Sequence, residues 1–258
     1  MIIQFHKYQG TGNDFIMIDD RQMTFPKDNS TLITRLCDRK LGIGADGVIL
    51  IQPHDTLDFR MVYFNPDGSQ SLCGNGSRCA VAFAKSLDII GDKTTFETTD
   101  GIHDAYFEGD IVHFHLHDVH EIEKRRGGWY INTGSPHHID IVTDLENHPI
   151  LERGRTIRYD EAYAPGGTNV NFLEKTDVGI KVRTYERGVE NETLSCGTGV
   201  TACALAASYL SYGSPVKVFT KGGELTVSFQ KNENDEFSNI YLAGPAKKVF
   251  EGQIDVIV

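Results

Sequence analysis

One short phrase occurs twice in this chain, and its recurrence limits what the polypeptide can become. Cys73-Gly74-Asn75-Gly76 runs into Ser77-Arg78-Cys79-Ala80-Val81-Ala82-Phe83-Ala84, and Cys196-Gly197-Thr198-Gly199 runs into Val200-Thr201-Ala202-Cys203-Ala204-Leu205-Ala206-Ala207. In both, a cysteine leads a Gly-x-Gly turn into an Ala-rich segment with the composition of a helix. Strand-like text, a loop, the cysteine phrase and the helix follow in the same order in each half, which points to an internal duplication. The expected fold is α+β: two pseudo-symmetric α/β lobes, each a mostly antiparallel, barrel-like sheet around a long central helix, with the active site in the cleft between them. Residues 1–118 form the expected N-terminal lobe carrying Cys73, and residues 119–258 the C-terminal lobe carrying Cys196. The polar stretch 118–128 is the boundary, and the last strand, about 247–258, is free to return to the first lobe.

The local text supports that order. Ile2 to Tyr8 and Phe15 to Asp19 read as strands around the turn Gly10-Thr11-Gly12-Asn13. Ser30 can cap a helix over 31–39, and a second helix is expected near 145–152. Strands are expected over 48–51, 58–64, 168–173 and 180–185, with Asn65-Pro66-Asp67-Gly68 as a turn.

Composition narrows the function classes. The chain has 258 residues, 40% hydrophobic and 24% charged, with a net charge of −11; that acidity makes nucleic acid or an anionic membrane a poor partner. No apolar run reaches the roughly 18 residues of a membrane span, and the N-terminus lacks a secretory pattern, so a cytoplasmic location is expected. Five cysteines, an odd number, without Cys-x-x-Cys spacing argue against a disulfide framework, a zinc ribbon or a thioredoxin-like motif. Cys37, Cys79 and Cys203 read as small buried hydrophobes. His113, His115 and His117 alternate on one strand face, but no carboxylate or cysteine accompanies them at ligand spacing, and no metal is expected.

A helix start exposes unpaired N–H groups and a partial positive charge. The dipole contributes about 0.3–1 kcal/mol, reaching roughly 2 in favourable cases, which lowers a thiol pKa by about one unit from its free value near 8.5. The same N–H groups can hold a carboxylate. Moving an α-proton of an amino acid requires a base on one face, an acid on the other and help for the developing anion. Two thiols at two helix starts, Cys73 and Cys196, have the chemistry for all three.

The remaining motifs resemble those of the diaminopimelate epimerase family over nearly the whole chain. They are Gly10-Thr11-Gly12-Asn13-Asp14-Phe15, Asn65-Pro66-Asp67-Gly68, the two cysteine phrases, Asn132-Thr133-Gly134-Ser135-Pro136-His137, Gly167-Thr168-Asn169-Val170-Asn171-Phe172 and Tyr185-Glu186-Arg187-Gly188. The resemblance implies a cofactor-independent isomerase that interconverts LL- and meso-2,6-diaminopimelate, in lysine and peptidoglycan-precursor synthesis. It implies Cys73 and Cys196 as the acid/base thiols, and substrate contacts from Asn13, Asn65, Asn169, Glu186 and Arg187. Gly74, Asn75, Gly197 and Thr198 match the helix-start anion sites, and His137 a histidine near the catalytic centre. No cofactor is implied, the partner is the small-molecule substrate, and a homodimer is compatible. Some members carry Gln where this chain has Gly47, and Asn where it has Ser135, which bears on how the distal end of the substrate is held.

Other readings stay open on sequence alone. Asn13 and Asn65 can be simple turn residues, and Glu186 and Arg187 a solvated pair. A proline or hydroxyproline racemase, or a phenazine-type isomerase, would share the lobes. A thiol redox protein would cycle a disulfide without exchanging substrate protons, and an anion-binding module would tolerate Cys→Ala at either position.

Overall fold

A computed structural model describes residues 1–256, which form seventeen strands, four α-helices and two short 3-10 turns. The chain divides into two compact units, Met1–Phe114 joined by the stretch from Pro245 onward, and His115–Gly244. Among the described residues, no helix is long and apolar enough to cross a membrane.

The first unit opens with a hairpin. β1 (Ile2–Gly10) and β2 (Asn13–Asp19) pair antiparallel through a two-residue turn. Thr11 and Gly12 both adopt positive φ, 52° and 87°, as a tight turn matching the strand twist requires. Helix α1 (Ser30–Cys37) crosses over to β3 (Gly47–Gln52), which runs parallel to β2. β4 (Phe59–Phe64) pairs antiparallel with β3. Helix α2 (Gly74–Ser86) then crosses to β5 (Lys93–Thr98), parallel to β4, and β6 (Gly101–Glu108) and β7 (Ile111–Leu116) continue as an antiparallel meander.

The second unit begins with β8 (Ile122–Arg125), within the polar 118–128 stretch, in a hairpin with β9 (Gly128–Asn132). β9 pairs antiparallel with β10 (Pro136–Val142). Helix α3 (Ile150–Arg158) crosses to β11 (Asn169–Thr176), parallel to β10. β12 (Gly179–Glu186) pairs antiparallel with β11 and with the short β13 (Asn191–Thr193). Helix α4 (Gly197–Ala207) crosses to β14 (Val216–Thr220), parallel to β12, and β15 (Gly223–Lys231) and β16 (Phe237–Pro245) follow antiparallel. Parallel pairs occur in each unit where a helix makes the crossover, which such a connection demands. β17 (Lys247–Asp255) pairs with β1 along its length, Ile2 opposite Asp255; the last two positions of the strand expected to reach 258 lie outside the described residues.

Two helices depart from the sequence expectation. α1 is capped by Asn29, whose side chain accepts from the Leu32 N–H, so Ser30 is its first residue, and it ends at Cys37 instead of Arg39. The helix placed near 145–152 starts at Ile150 and continues to Arg158. Pro149 disfavours a helical conformation at the residue before it and is tolerated only at a helix start, so the helix begins after it. Gly154, a weak helix former, sits inside it because an added Cβ would fall 2.4 Å from Tyr185 Cβ.

Alternation buries one face of β1, with Ile3, Phe5 and Lys7 pointing inward. Ile3 and Phe5 join Ile16, Leu32, Leu36 and Leu50 in an apolar core under α1. Lys7, only 5% exposed, is compensated: its Nζ lies 2.7 Å from Asp14 Oδ2 and donates to the Gly44 carbonyl. Arg39 binds Asp14 in a fork, at 2.7 and 3.0 Å, and reaches Asp46. Burial by itself would raise the Asp14 pKa, but hydrogen bonds from Arg39 and Lys7 outweigh it and hold the carboxyl at about 2. A depressed carboxylate contributes stability that is complete above about pH 4 and is lost as pH falls through 2. Asp14→Asn is expected to lower stability at pH 7 by about 2 kcal/mol and to flatten the acid limb between pH 4 and 2; urea unfolding as a function of pH measures both.

Candidate active site

Each cysteine phrase forms the start of a helix. Cys73 is the N-cap of α2, extended at φ −133°, ψ 103°, and Cys196 is the N-cap of α4 at φ −119°, ψ 112°. The expected Gly-x-Gly turn is the helix's own first turn, with Gly74 and Gly197 already helical. The second glycine of each phrase is closely packed, more severely in the second phrase. An added Cβ on Gly76 would lie 3.4 Å from Cys73 Cβ and 3.1 Å from Ile49 Cδ1, and on Gly199 it would lie 2.4 Å from Asn171 Oδ1.

The two thiols are held differently. Cys73 Sγ accepts a hydrogen bond from the Gly76 backbone N–H at 3.4 Å, taking the place of a capping oxygen. Around it, amides form an oriented chain within the first unit. Arg78 Nη2 donates to Asn75 Oδ1 (3.0 Å), Asn75 Nδ2 to Asn13 Oδ1 (2.9 Å), and Asn13 Nδ2 to Asp46 Oδ2 (2.6 Å). The cation and the carboxylate at the ends fix which way both amides point. Asn13 is therefore more than a turn residue, and the positive φ of this hairpin falls on Thr11 and Gly12 instead.

Cys196 lacks a backbone cap; its Sγ lies 3.5 Å from Thr198 Oγ1. Behind Thr198 stands a buried relay. His137 Nε2 is 2.9 Å from Thr198 Oγ1, and Asn171 Nδ2 is 3.1 Å from His137 Nδ1. Thr184 donates to Asn171 Oδ1 at 2.9 Å, so the Asn171 amide nitrogen faces the ring and His137 Nδ1 must be the acceptor. The proton then sits on Nε2 and goes to Thr198, whose own hydroxyl hydrogen is left for Cys196. Desolvation, reinforced by the charge of Arg187, pushes the His137 pKa down to about 3, so the ring is neutral at pH 7.

Asn169 starts β11, donating to the Pro136 carbonyl and accepting from the Arg187 N–H. Glu186 accepts from Thr193 Oγ1 at 2.8 Å, and the Arg187 guanidinium reaches the Gly166 carbonyl. Asn65 bonds within its own loop to Ser69 and Ser71. His113 stacks on Tyr106 and His115 on Tyr241.

Four participants were not singled out by sequence: Asn171, Thr184, Arg78 and Asp46. Asn171 carried a usable signal, since Asn169-Val170-Asn171 on a strand puts both amides on one face. Gly47, the position of Gln in some family members, has no room for a side chain: an added Cβ would lie 2.4 Å from Tyr63 Cε2 and 2.6 Å from the Phe64 carbonyl.

The other thiols are inert by burial. Desolvation raises Cys37 and Cys79 to about 12 and Cys203 well above its usual value.

Comparison with known proteins gives one consistent answer. The family model described as diaminopimelate epimerase matches residues 5–111 and 129–249. A protein of Flavobacterium psychrophilum named diaminopimelate epimerase is 50% identical over 257 residues, covering 98% of this chain and all of its own. One of Aquifex aeolicus with the same name is 43% identical, covering 98% of both. Among solved structures, a phenazine biosynthesis protein of the PhzF family from Bacillus anthracis superposes with a TM-score of 0.80 at 16% identity, covering 99% of this chain and 100% of its own. A probable proline racemase of Agrobacterium radiobacter gives 0.71 at 17%, covering 99% and 93%. At those identities the structures share the fold.

Two outcomes are expected. Mass-spectrometric mapping after brief iodoacetamide treatment at pH 7.5 should find Cys73 labelled first and Cys196 more slowly, with Cys37, Cys79 and Cys203 protected until the chain unfolds. Gly47→Gln should cost about 1–3 kcal/mol through overpacking against Tyr63, measured by chemical denaturation.

Proposed function

The chain belongs to the diaminopimelate epimerase family, and we propose that it interconverts LL- and meso-2,6-diaminopimelate, a step of lysine biosynthesis, by two-base proton transfer at one α-carbon. Cys73 and Cys196 are the two bases. The observation that carries this reading is that each thiol sits at a helix N-terminus with a donor aimed at its sulfur, the Gly76 N–H for one and the Thr198 hydroxyl for the other.

The thiolate on one face takes the α-proton and becomes a thiol. The thiol on the other face gives its proton to the carbanion and becomes a thiolate, so charge and protons balance and the enzyme ends in the complementary state. Substrate of the opposite configuration meets the opposite assignment. Negative charge that spreads from the α-carbon into its carboxylate is stabilised by the N–H groups of Gly74, Asn75, Gly197 and Thr198. Neutral His137, donating to Thr198, lets that hydroxyl donate in turn to the Cys196 thiolate. Arg187 suits the distal carboxylate by fork geometry, with Asn13, Asn65, Asn169 and Glu186 as polar contacts.

The two units are read as duplicated lobes, each around the helix that its cysteine begins. Supporting this, the pairings β1/β2, β2/β3, β3/β4 and β4/β5 run antiparallel, parallel, antiparallel, parallel, and β9/β10, β10/β11, β11/β12 and β12/β14 repeat that order. Thr11-Gly12 and Thr133-Gly134 occupy the equivalent first hairpins, and each threonine hydroxyl bonds to the residue two past its cysteine, Asn75 or Thr198. Relatives named diaminopimelate epimerase match the full length at 43–50% identity, whereas the racemase and phenazine-type structures match at 16–17%, which disfavours those substrates.

In deuterium oxide without added pyridoxal phosphate, the enzyme should place deuterium on one α-carbon of either diaminopimelate stereoisomer and none on proline. Cys73→Ala and Cys196→Ala should each reduce epimerisation by at least about a thousandfold, the scale of losing a general acid–base group. Absence of deuterium incorporation in the wild-type protein would refute the mechanism.

A further inference from the structure

Arg78 is an anomaly in the first unit. Its side chain is fully buried, among the largest such side chains in the protein, yet among the described residues no carboxylate pairs with it. Its contacts are the Asn75 amide oxygen (3.0 Å), the Thr11 hydroxyl (3.1 Å) and the Gly74 carbonyl (3.4 Å), and its buried Nε has no hydrogen-bond partner. An uncompensated buried cation is costly, and desolvation lowers its pKa to about 10, which leaves it charged at neutral pH. A side chain serving only to fill this space would be more stable as a hydrocarbon.

Its surroundings show what the charge faces. The guanidinium lies along the first turn of α2, against Gly74 and Asn75, the residues that follow Cys73. The ionisable groups that pull on it are Cys79, kept neutral by burial, and Cys73. From the β1–β2 hairpin it meets the neutral Thr11 hydroxyl. The nearby acids are occupied: Asp14 by Lys7 and Arg39, and Asp46 by Arg39 and Asn13. Cys73 is thus the ionisable neighbour left for the Arg78 charge to act on.

Comparing the two phrases sharpens the point. Arg78 stands five residues after Cys73, and Thr201 stands five after Cys196. Thr201 bonds the Gly197 carbonyl at 3.0 Å, as Arg78 bonds that of Gly74, but brings no charge. Conversely, the strand positions under Gly199 hold His137 and Asn171, while the strand position under Gly76 holds apolar Ile49. The second unit brings a polar relay from its strands to the residue two past its cysteine, and the first carries a cation in the helix itself.

We propose that Arg78 is a positioning residue for the epimerisation: a permanently buried, unpaired positive charge that favours the Cys73 thiolate and, through Asn75, fixes the amide chain to Asn13. This rests on Cys73 being one of the two acid/base thiols. It goes beyond the helix-start effect, because a dipole worth about one pKa unit is supplemented by the full charge of a fully buried guanidinium.

The test separates charge from hydrogen bonding and from folding. In the full-length Cys196→Ala protein, the pH midpoint of Cys73 alkylation by iodoacetamide is measured with Arg78 intact, with Arg78→Met, which removes charge and donors, and with Arg78→Gln, which keeps an amide donor toward Asn75. Both neutral variants should raise the midpoint by at least about one unit, a roughly tenfold drop in thiolate at pH 7, while thermal midpoints stay level or rise. In the Cys196-containing protein, the same substitutions should lower kcat tenfold or more with KM little changed, and Arg78→Lys should recover part of the loss. An unchanged alkylation midpoint in either neutral variant overturns the proposal. So does failure of both neutral variants to fold, which would make Arg78 a structural residue. Failure of the underlying reading looks different: Cys73→Ala would then retain α-proton exchange whatever the midpoints show.

Discussion

Unpaired N–H groups at a helix start are the constraint around which both units are arranged. Every helix leaves such donors, and most fill them with an oxygen. Here a sulfur stands at the capping position of α2 and again of α4. Sulfur is a weak acceptor as a thiol and a good one as a thiolate, so donors at a helix start favour the ionised form. Close packing meets the glycine at the fourth position of each phrase, and nearly every residue of the two helices is buried.

The helix start is common to both thiols, but what lies behind it differs. Cys196 is reached by a hydroxyl whose orientation is set by a histidine, whose tautomer is set by an asparagine, whose amide is set by Thr184. Each link has one consistent donor–acceptor assignment, so the chain of bonds has a direction. Around Cys73 the direction comes from charged ends, Arg78 and Asp46, with two amides between them. The two sulfurs thus stand at like positions on unlike supports. Buried polar groups of this kind cost stability, against sheets otherwise filled largely with Ile, Val, Leu and Phe.

Much of the fold was legible because it was written in local signals. The first hairpin, the strands 48–51, 58–64 and 180–185 and both cysteine helices came from alternation, turn residues and the repeated phrase. The helix at 150–158 was placed too early because Pro149, which sets its start, was passed over. Strand pairing was not legible: that β3 lies parallel to β2, and β14 parallel to β12, depends on contacts between residues far apart in sequence. Asn65 shows the same limit at a single residue, since its bonds to Ser69 and Ser71 depend on how the loop closes.

The sequence by itself determined that two thiols sit at two helix starts, because a cysteine before Gly-x-Gly and an Ala-rich run is a local pattern requiring only neighbouring residues. It also set Cys79 and Cys203 apart, because helical periodicity turns them away from the helix start. Only the tertiary structure decided which side chains support each thiol. Arg78 faces Thr11 and Asn75, and His137 faces Thr198 and Asn171, because sheet register brings a hairpin turn or a neighbouring strand against the helix. Register is set by the packing of whole faces, which no short stretch of sequence contains.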